Sequence, residues 1–269
     1  MDKTALNALL KPKSIAVIGA SATPGKIGYT VVKNLIDSGF EGGIYPINPS
    51  VEEILGLKTY ASVKDVEGPI EAAVLTIPAK LVMSVIDDLG QKGVKGLMVI
   101  TSGFSEVGEK ELELELVERS NKYGMRVLGP NIVGVLSNSG KMNASFAPIL
   151  PLPGKASLVS QSGALLIAID MATFTRNIGF DKLISNGNMA DVDFADTIDW
   201  LDQDPDTQCI SMYIEGFKNG RSFIESARKA SKPIIALKAG ISAHGAAAAA
   251  SHTGSLAGAT DQPTILMQP

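Results

Sequence analysis

One cysteine and two histidines are all that 269 residues supply of the thiol and imidazole side chains that commonly build cross-links and metal cages. Cys209 alone cannot form an internal disulfide or a thiolate site, and neither His244 nor His252 has a second ligand spaced to complete a zinc site. No excess of positive charge exists either. The 24 Lys and Arg residues face 28 Asp and Glu, giving a net charge of −4 without any dense basic block. That argues against a nucleic-acid protein, whose affinity would come from neutralising phosphates. The longest aliphatic stretch, residues 164–169, stops at Asp170, far short of the roughly 20 apolar residues a membrane span requires. The first ten residues carry Asp2 and Lys3 and lack a signal-peptide pattern, so a cytoplasmic protein without membrane attachment is expected. Disorder is excluded by a composition that is 45% hydrophobic and 19% charged.

What is present is an alternation. Apolar runs at 14–19, 43–47, 72–77, 96–100 and 126–128 read as buried strands, several of them ended by glycine or proline. Between them, 27–38, 79–92 and 109–123 carry helical spacing. Residues 138–154, with Pro148, Pro151 and Pro153, break the rhythm and read as an interdomain connection. A second series follows, with strands at 156–159, 182–185, 209–214 and 233–239 and helices at 164–175, 193–204 and 220–230. The expectation is an α/β protein of two doubly wound parallel-sheet domains, residues 1–140 and 150–269, the first Rossmann-like and the second flavodoxin-like.

Five stretches have residue types suited to chemistry. Gly19, Ser21, Gly25, Lys26 and Gly28 lie between the first strand and its helix, where free N–H groups and the helix dipole favour an anion. The spacing is not that of a pyridine-dinucleotide fingerprint, and strand two ends in Asn48-Pro49 where a ribose diol would require Asp or Glu. A phosphorylated adenine ligand without a free 2′,3′-diol, such as coenzyme A, suits that pattern; a plain glycine turn is the alternative. Ser160, Gln161, Ser162 and Gly163 repeat the strand–turn–helix arrangement and form either an anion cradle or an ordinary serine N-cap. His252 stands among small hydroxyl-bearing residues, as a phosphoryl carrier would, or as a surface histidine. Glu215 ends a strand at the sheet edge where ligands bind, or opens a surface loop. Asn131, just past strand five, can hold an acyl oxygen or serve as a turn former.

Taken in order, Ile18-Gly19-Ala20-Ser21, Ile47-Asn48-Pro49, Leu128-Gly129-Pro130-Asn131, Val159-Ser160-Gln161-Ser162-Gly163, Ile214-Glu215-Gly216 and Ser251-His252-Thr253-Gly254-Ser255 carry a family likeness. From residue 11 to 258 the chain resembles the CoA-binding α subunits of NDP-forming acyl-CoA synthetases, the succinyl-CoA synthetase superfamily. The strongest likeness is to the ADP-forming acetate–CoA ligases. The resemblance implies an acid–thiol ligase interconverting acyl-CoA, phosphate and ADP with free acid, CoA and ATP through an acyl phosphate and a phosphohistidine. It implies His252 as the phosphorylated residue, Glu215 as its hydrogen-bonding partner, and Ser160, Gln161, Ser162 and Gly163 as the phosphate site. Gly19, Ser21, Lys26, Asn48, Pro49, Ile77 and Pro78 would hold CoA, with Asn131 near the thioester; no metal site is implied on this chain. ADP or ATP with Mg2+ is expected on an ATP-grasp β-type partner, within an oligomer. The stretch after Gly258 leaves the family pattern, so the second domain is expected to be cut short. A non-catalytic or regulatory CoA-binding protein and an NAD(P)-dependent oxidoreductase are the competing readings.

Overall fold

The computed structural model describes residues 3–240 and 265–267. The first sheet contains β1 (Ser14–Ile18), β2 (Gly43–Ile47), β5 (Ala72–Leu75), β6 (Gly96–Val99) and β7 (Arg126–Leu128). They are parallel, in the order β2-β1-β5-β6-β7. A two-residue pair, β3 (Glu53–Ile54) with β4 (Leu57–Lys58), stands apart from it. β1, β5 and β6 are buried throughout, as continuous apolar runs between helix layers must be. The helices are α1 (Lys3–Leu10), α2 (Ile27–Asp37), α3 (Ala79–Gln91) and α4 (Lys110–Asn121). α1 has no counterpart in the sequence reading; it buries Leu6, Leu9 and Leu10.

The second sheet is built on parallel β10 (Pro153–Ser160), β11 (Phe180–Ser185), β12 (Cys209–Ile214) and β13 (Ile234–Lys238). Its helices are α5 (Gly163–Arg176), α6 (Phe194–Leu201) and α7 (Gly220–Lys229). Antiparallel strands extend both edges: β8 (Gly134–Ser137) and β9 (Met142–Ser145) beside β11, and β14 (Ile265–Met267) beside β13. The full order is β14-β13-β12-β10-β11-β8-β9.

The reading of 138–154 as a connection is therefore corrected. That segment contains β9 and the first residues of β10. Pro148, Pro151 and Pro153 made the whole segment read as a loop, yet Asn143 and Ser145 of β9 are buried and paired: Ser145 Oγ donates to Asn143 Oδ1 at 2.5 Å and Asn143 Nδ2 donates to the Ala147 carbonyl at 3.3 Å. Buried polar groups are tolerated when they are paired. Asn34 of α2 reaches across from the first sheet's helix layer, its amide donating to the carbonyls of Ser145 and Ala147 at 2.9 and 2.8 Å.

A second bridge joins β7 to the segment that follows β11 and opens α6. Asp191 takes a two-point grip from Arg126 Nε and accepts the Val127 N–H at 2.8 Å, while Arg126 Nη2 reaches Asp196 at 2.8 Å. Backbone bonds from Asn188, Ala190 and Val192 to Pro130, Gly129 and Val127 continue the seam. Arg126 belongs to β7, so the edge of the first sheet is satisfied by a loop of the second. No helix among the described residues is long and apolar enough to cross a membrane.

Candidate active site

In each sheet the chain order reverses between two neighbouring strands, β1 and β5 in the first and β10 and β12 in the second. Crevices open at the carboxyl ends of strands at such reversals, and ligands bind there. Gly19, Ile77 and Pro78 occupy the first reversal; Gln161 and Glu215 occupy the second.

In the first crevice Gly19 holds a φ of +86°, and a Cβ there would sit 2.6 Å from Ile77 Cγ2. A Cβ on Gly28 would lie 2.0 Å from the Gly19 carbonyl oxygen, so only glycine lets α2 start this close to β1. The carbonyls at the strand tip are turned to internal partners. Asn48 Nδ2 donates to Ala20 O at 2.7 Å, and Thr76 Oγ1 donates to Ile18 O and Gly19 O at 2.9 and 3.1 Å. Acceptors are thereby occupied near the N-terminus of α2, whose N–H groups and dipole favour a phosphate. Asn48 also explains the missing carboxylate, since an aspartate could accept but not donate to Ala20. Ser21 accepts the Thr23 N–H at 3.1 Å, Lys26 is the exposed N-cap of α2, and Pro49 is exposed beside Asn48.

In the second crevice the hydroxyls serve the turn itself. Ser160 Oγ donates to Ser162 O at 2.8 Å, and Ser162 Oγ caps α5 by accepting the Leu165 N–H at 3.3 Å. The first N–H groups of α5, beginning at Gly163, have no partner within the helix, an arrangement that suits an anion. A Cβ on Gly163 would stand 2.8 Å from Val133 Cγ2. Gln161 is buried, and its Oε1 accepts the N–H groups of Glu215 at 2.7 Å and Gly216 at 3.0 Å. Lys238 Nζ donates to the Glu215 carbonyl at 2.7 Å. Burial lowers the Lys238 pKa, against the charge of Glu215, which raises it. Burial, seconded by the Glu215 charge, likewise pushes the Tyr213 phenol up. His252 and His244 lie outside the described residues.

Asn131, at a φ of +61°, joins the two crevices. Its N–H donates to Thr101 O at 3.0 Å, and Thr101 Oγ1 donates to Ile77 O at 2.7 Å. On the other side Asn131 Nδ2 reaches Asn188 Oδ1 at 3.4 Å. Asn188 Nδ2 in turn donates to Glu106 Oε2 at 2.6 Å and Glu113 Oε2 at 2.8 Å, and Lys218 pairs with Glu113 Oε1 at 3.2 Å. Burial opposes the charge on Glu106, but the N–H groups of Gly103 and Phe104 and the Asn188 amide outweigh it and hold the carboxyl below its usual value. A cavity of about 270 Å³ opens here, lined by Glu113, Leu114, Gln161, Asn188, Gly216 and Phe217 among others. Thr101, Asn188, Glu106 and Glu113 were missed by sequence reasoning; each looks like an ordinary loop or surface residue until the fold brings them together.

A family profile described as CoA binding domain matches residues 13–138, and one described as succinyl-CoA ligase like flavodoxin domain matches residues 153–265. The acetate–CoA ligase (ADP-forming) I subunit alpha of Pyrococcus furiosus is 52% identical over 261 residues, which cover 94% of this chain and 56% of that subunit. The acetate–CoA ligase (ADP-forming) of Methanocaldococcus jannaschii is 50% identical over 92% of this chain and 35% of its own length. The structure of a Ca. Korarchaeum cryptofilum dinucleotide forming acetyl-coenzyme A synthetase 1, in complex with phosphate and ADP, superimposes with a TM-score of 0.92 at 50% identity. That match covers 95% of this chain and 56% of the other. The chain thus spans little more than half the length of the Pyrococcus subunit. With the two profiles matching in order along its length, the chain carries a CoA binding domain followed by a succinyl-CoA ligase like flavodoxin domain.

Proposed function

We propose that this chain is the CoA-binding, phosphohistidine-bearing α-type part of an ADP-forming acyl-CoA synthetase acting on small acyl groups. The observation that carries the reading is the Gln161 clamp, which joins the Ser160–Gly163 turn to Glu215 across the second reversal point. CoA lies in the first crevice, its phosphates towards the start of α2 and Lys26, with Gly19, Ser21, Asn48, Pro49, Ile77 and Pro78 around it. Asn131 stands at the thioester. A phosphate oxygen attacks the thioester carbonyl, the C–S bond breaks, and CoA leaves with an acyl phosphate formed. A ring nitrogen of His252 then attacks phosphorus and the carboxylate departs. The N–H groups at the start of α5 hold the phosphoryl oxygens, where donors and dipole stabilise the charge that develops. Glu215 accepts a hydrogen bond from the imidazole and favours its cationic form. ADP, with Mg2+ on an ATP-grasp partner subunit or domain, accepts the phosphoryl group and becomes ATP.

The NAD(P) reading is disfavoured by Asn48, whose donor already serves Ala20. The test is to incubate the chain with acetyl-CoA and labelled phosphate, with and without an ATP-grasp partner, and assay acid-labile phosphohistidine. Label on the wild type and none on His252→Ala is the expected result; equal label on both overturns the assignment.

A further inference from the structure

The Gln161 side chain is occupied in a way that a phosphate ligand's need not be. It is more than nine-tenths buried, and one oxygen, Oε1, takes two consecutive backbone N–H groups at 2.7 and 3.0 Å. Its own N–H donates to the Tyr213 carbonyl at 3.2 Å, so main chain and side chain both grip the end of β12. The far side of the same peptide is held by Lys238, and the Ala239 N–H donates to the Ile214 carbonyl at 2.8 Å. Glu215 therefore has its backbone fixed on its N–H side by the turn after β10 and on its carbonyl side by β13. With the peptide so pinned, the carboxylate can differ in position only through its own side-chain torsions.

We infer that Gln161 is a positioning residue that acts through Glu215, fixing the distance between the acid and the anion-binding start of α5. This deepens the proposed function and rests on it: the histidine relay is the step that such spacing serves. Ser160 Oγ gives its proton to the turn and Gln161 Oε1 takes two N–H groups from the end of β12; in this reading phosphoryl contact is made by the N–H groups at the start of α5. A direct phosphate ligand and a positioning residue predict opposite kinetics.

Two variants separate them, each assayed with the ATP-grasp partner present. Gln161→Met keeps the length and removes the acceptor. It is expected to lower the turnover number for phosphohistidine formation by about tenfold or more with little change in KM for phosphate. Gln161→Glu keeps an acceptor for both N–H groups but adds charge beside the anion site. It is expected to raise KM for phosphate while retaining most of the turnover number. Amide hydrogen exchange gives a readout independent of activity: protection at Glu215 and Gly216 falls in Gln161→Met and persists in Gln161→Glu. Unchanged protection in Gln161→Met, or a raised KM for phosphate with an intact turnover number in that variant, overturns the proposal. Absence of phosphohistidine in the wild type would instead overturn the relay, while exchange at the two amides still decides the clamp.

Discussion

Thr101 donates from Oγ1 to the carbonyl of Ile77 at 2.7 Å, and its own carbonyl accepts the N–H of Asn131 at 3.0 Å. One buried threonine after β6 thus ties the lip of the first crevice to the residue proposed to face the thioester. Thr101→Val keeps the shape and removes the hydroxyl, leaving buried carbonyls without that donor. A cost of about 1–3 kcal/mol is expected. Denaturant melts should show it, and calorimetric titration should show weaker CoA binding, with Thr101→Ser recovering most of both.

Asn48→Asp replaces a donor with an anion at the tip of β2. The carboxylate would face the Ala20 carbonyl that Asn48 Nδ2 now satisfies at 2.7 Å, close to the expected phosphates. CoA affinity is expected to fall by about tenfold or more, equivalent to at least ~1.4 kcal/mol. No tight NADH binding should appear in its place, because the glycine spacing remains that of this family. A fluorescence titration showing tight NADH binding would refute this view of the crevice.

Asp170 of α5 is fully buried, and among the described residues neither carboxylate oxygen has a hydrogen-bond partner. Burial raises its pKa from 3.8 to about 6. The folded state then holds its proton more tightly than the unfolded chain. Its contribution to stability is full below about pH 4, declines as pH rises through 4 to 6, and is absent above that. At pH 8 the charged carboxylate costs about 3 kcal/mol relative to acid conditions. Asp170→Asn should therefore gain stability over the wild type as pH goes from 5 to 8. Urea titrations at the two pH values check the trend, and an equal difference at both would contradict it.

Arg126 grips Asp191 through both carboxylate oxygens and Asp196 through one. Lysine offers a point charge instead of a planar fork, so Arg126→Lys cannot keep both partners at their present geometry. The seam between β7 and the loop before α6 should loosen by about 1–3 kcal/mol. Faster proteolysis within residues 187–192, with the strands of both sheets still protected, is the expected pattern.

Much of the fold was legible because it rests on local patterns. Fully buried strands such as Ala72–Leu75 and Gly96–Val99 must be apolar on both faces, so they stand out as runs between amphipathic helices. Gly19 and Gly163 were readable as turn glycines that open helices. β9 was not legible, since Asn143 and Ser145 satisfy each other only once folded. Asn188 was invisible for a related reason: its carboxylate partners Glu106 and Glu113 lie 82 and 75 positions away in the chain.

The scarcities of the sequence narrowed the chemistry available. One cysteine and two histidines leave no cysteine-built metal cage and a single histidine, His252, in a setting suited to carrying a phosphoryl group. The motifs further marked which turns would face a ligand, because glycine and hydroxyl residues at strand ends are local requirements. Which of those residues hold the others in place was decided by the tertiary structure. Gln161 and Glu215 stand 54 positions apart, and only the pairing of β10 with β12 turns them into one unit. A hydrogen bond needs both partners within about 3 Å. Sequence spacing fixes such distances within an element; between elements, packing alone sets them.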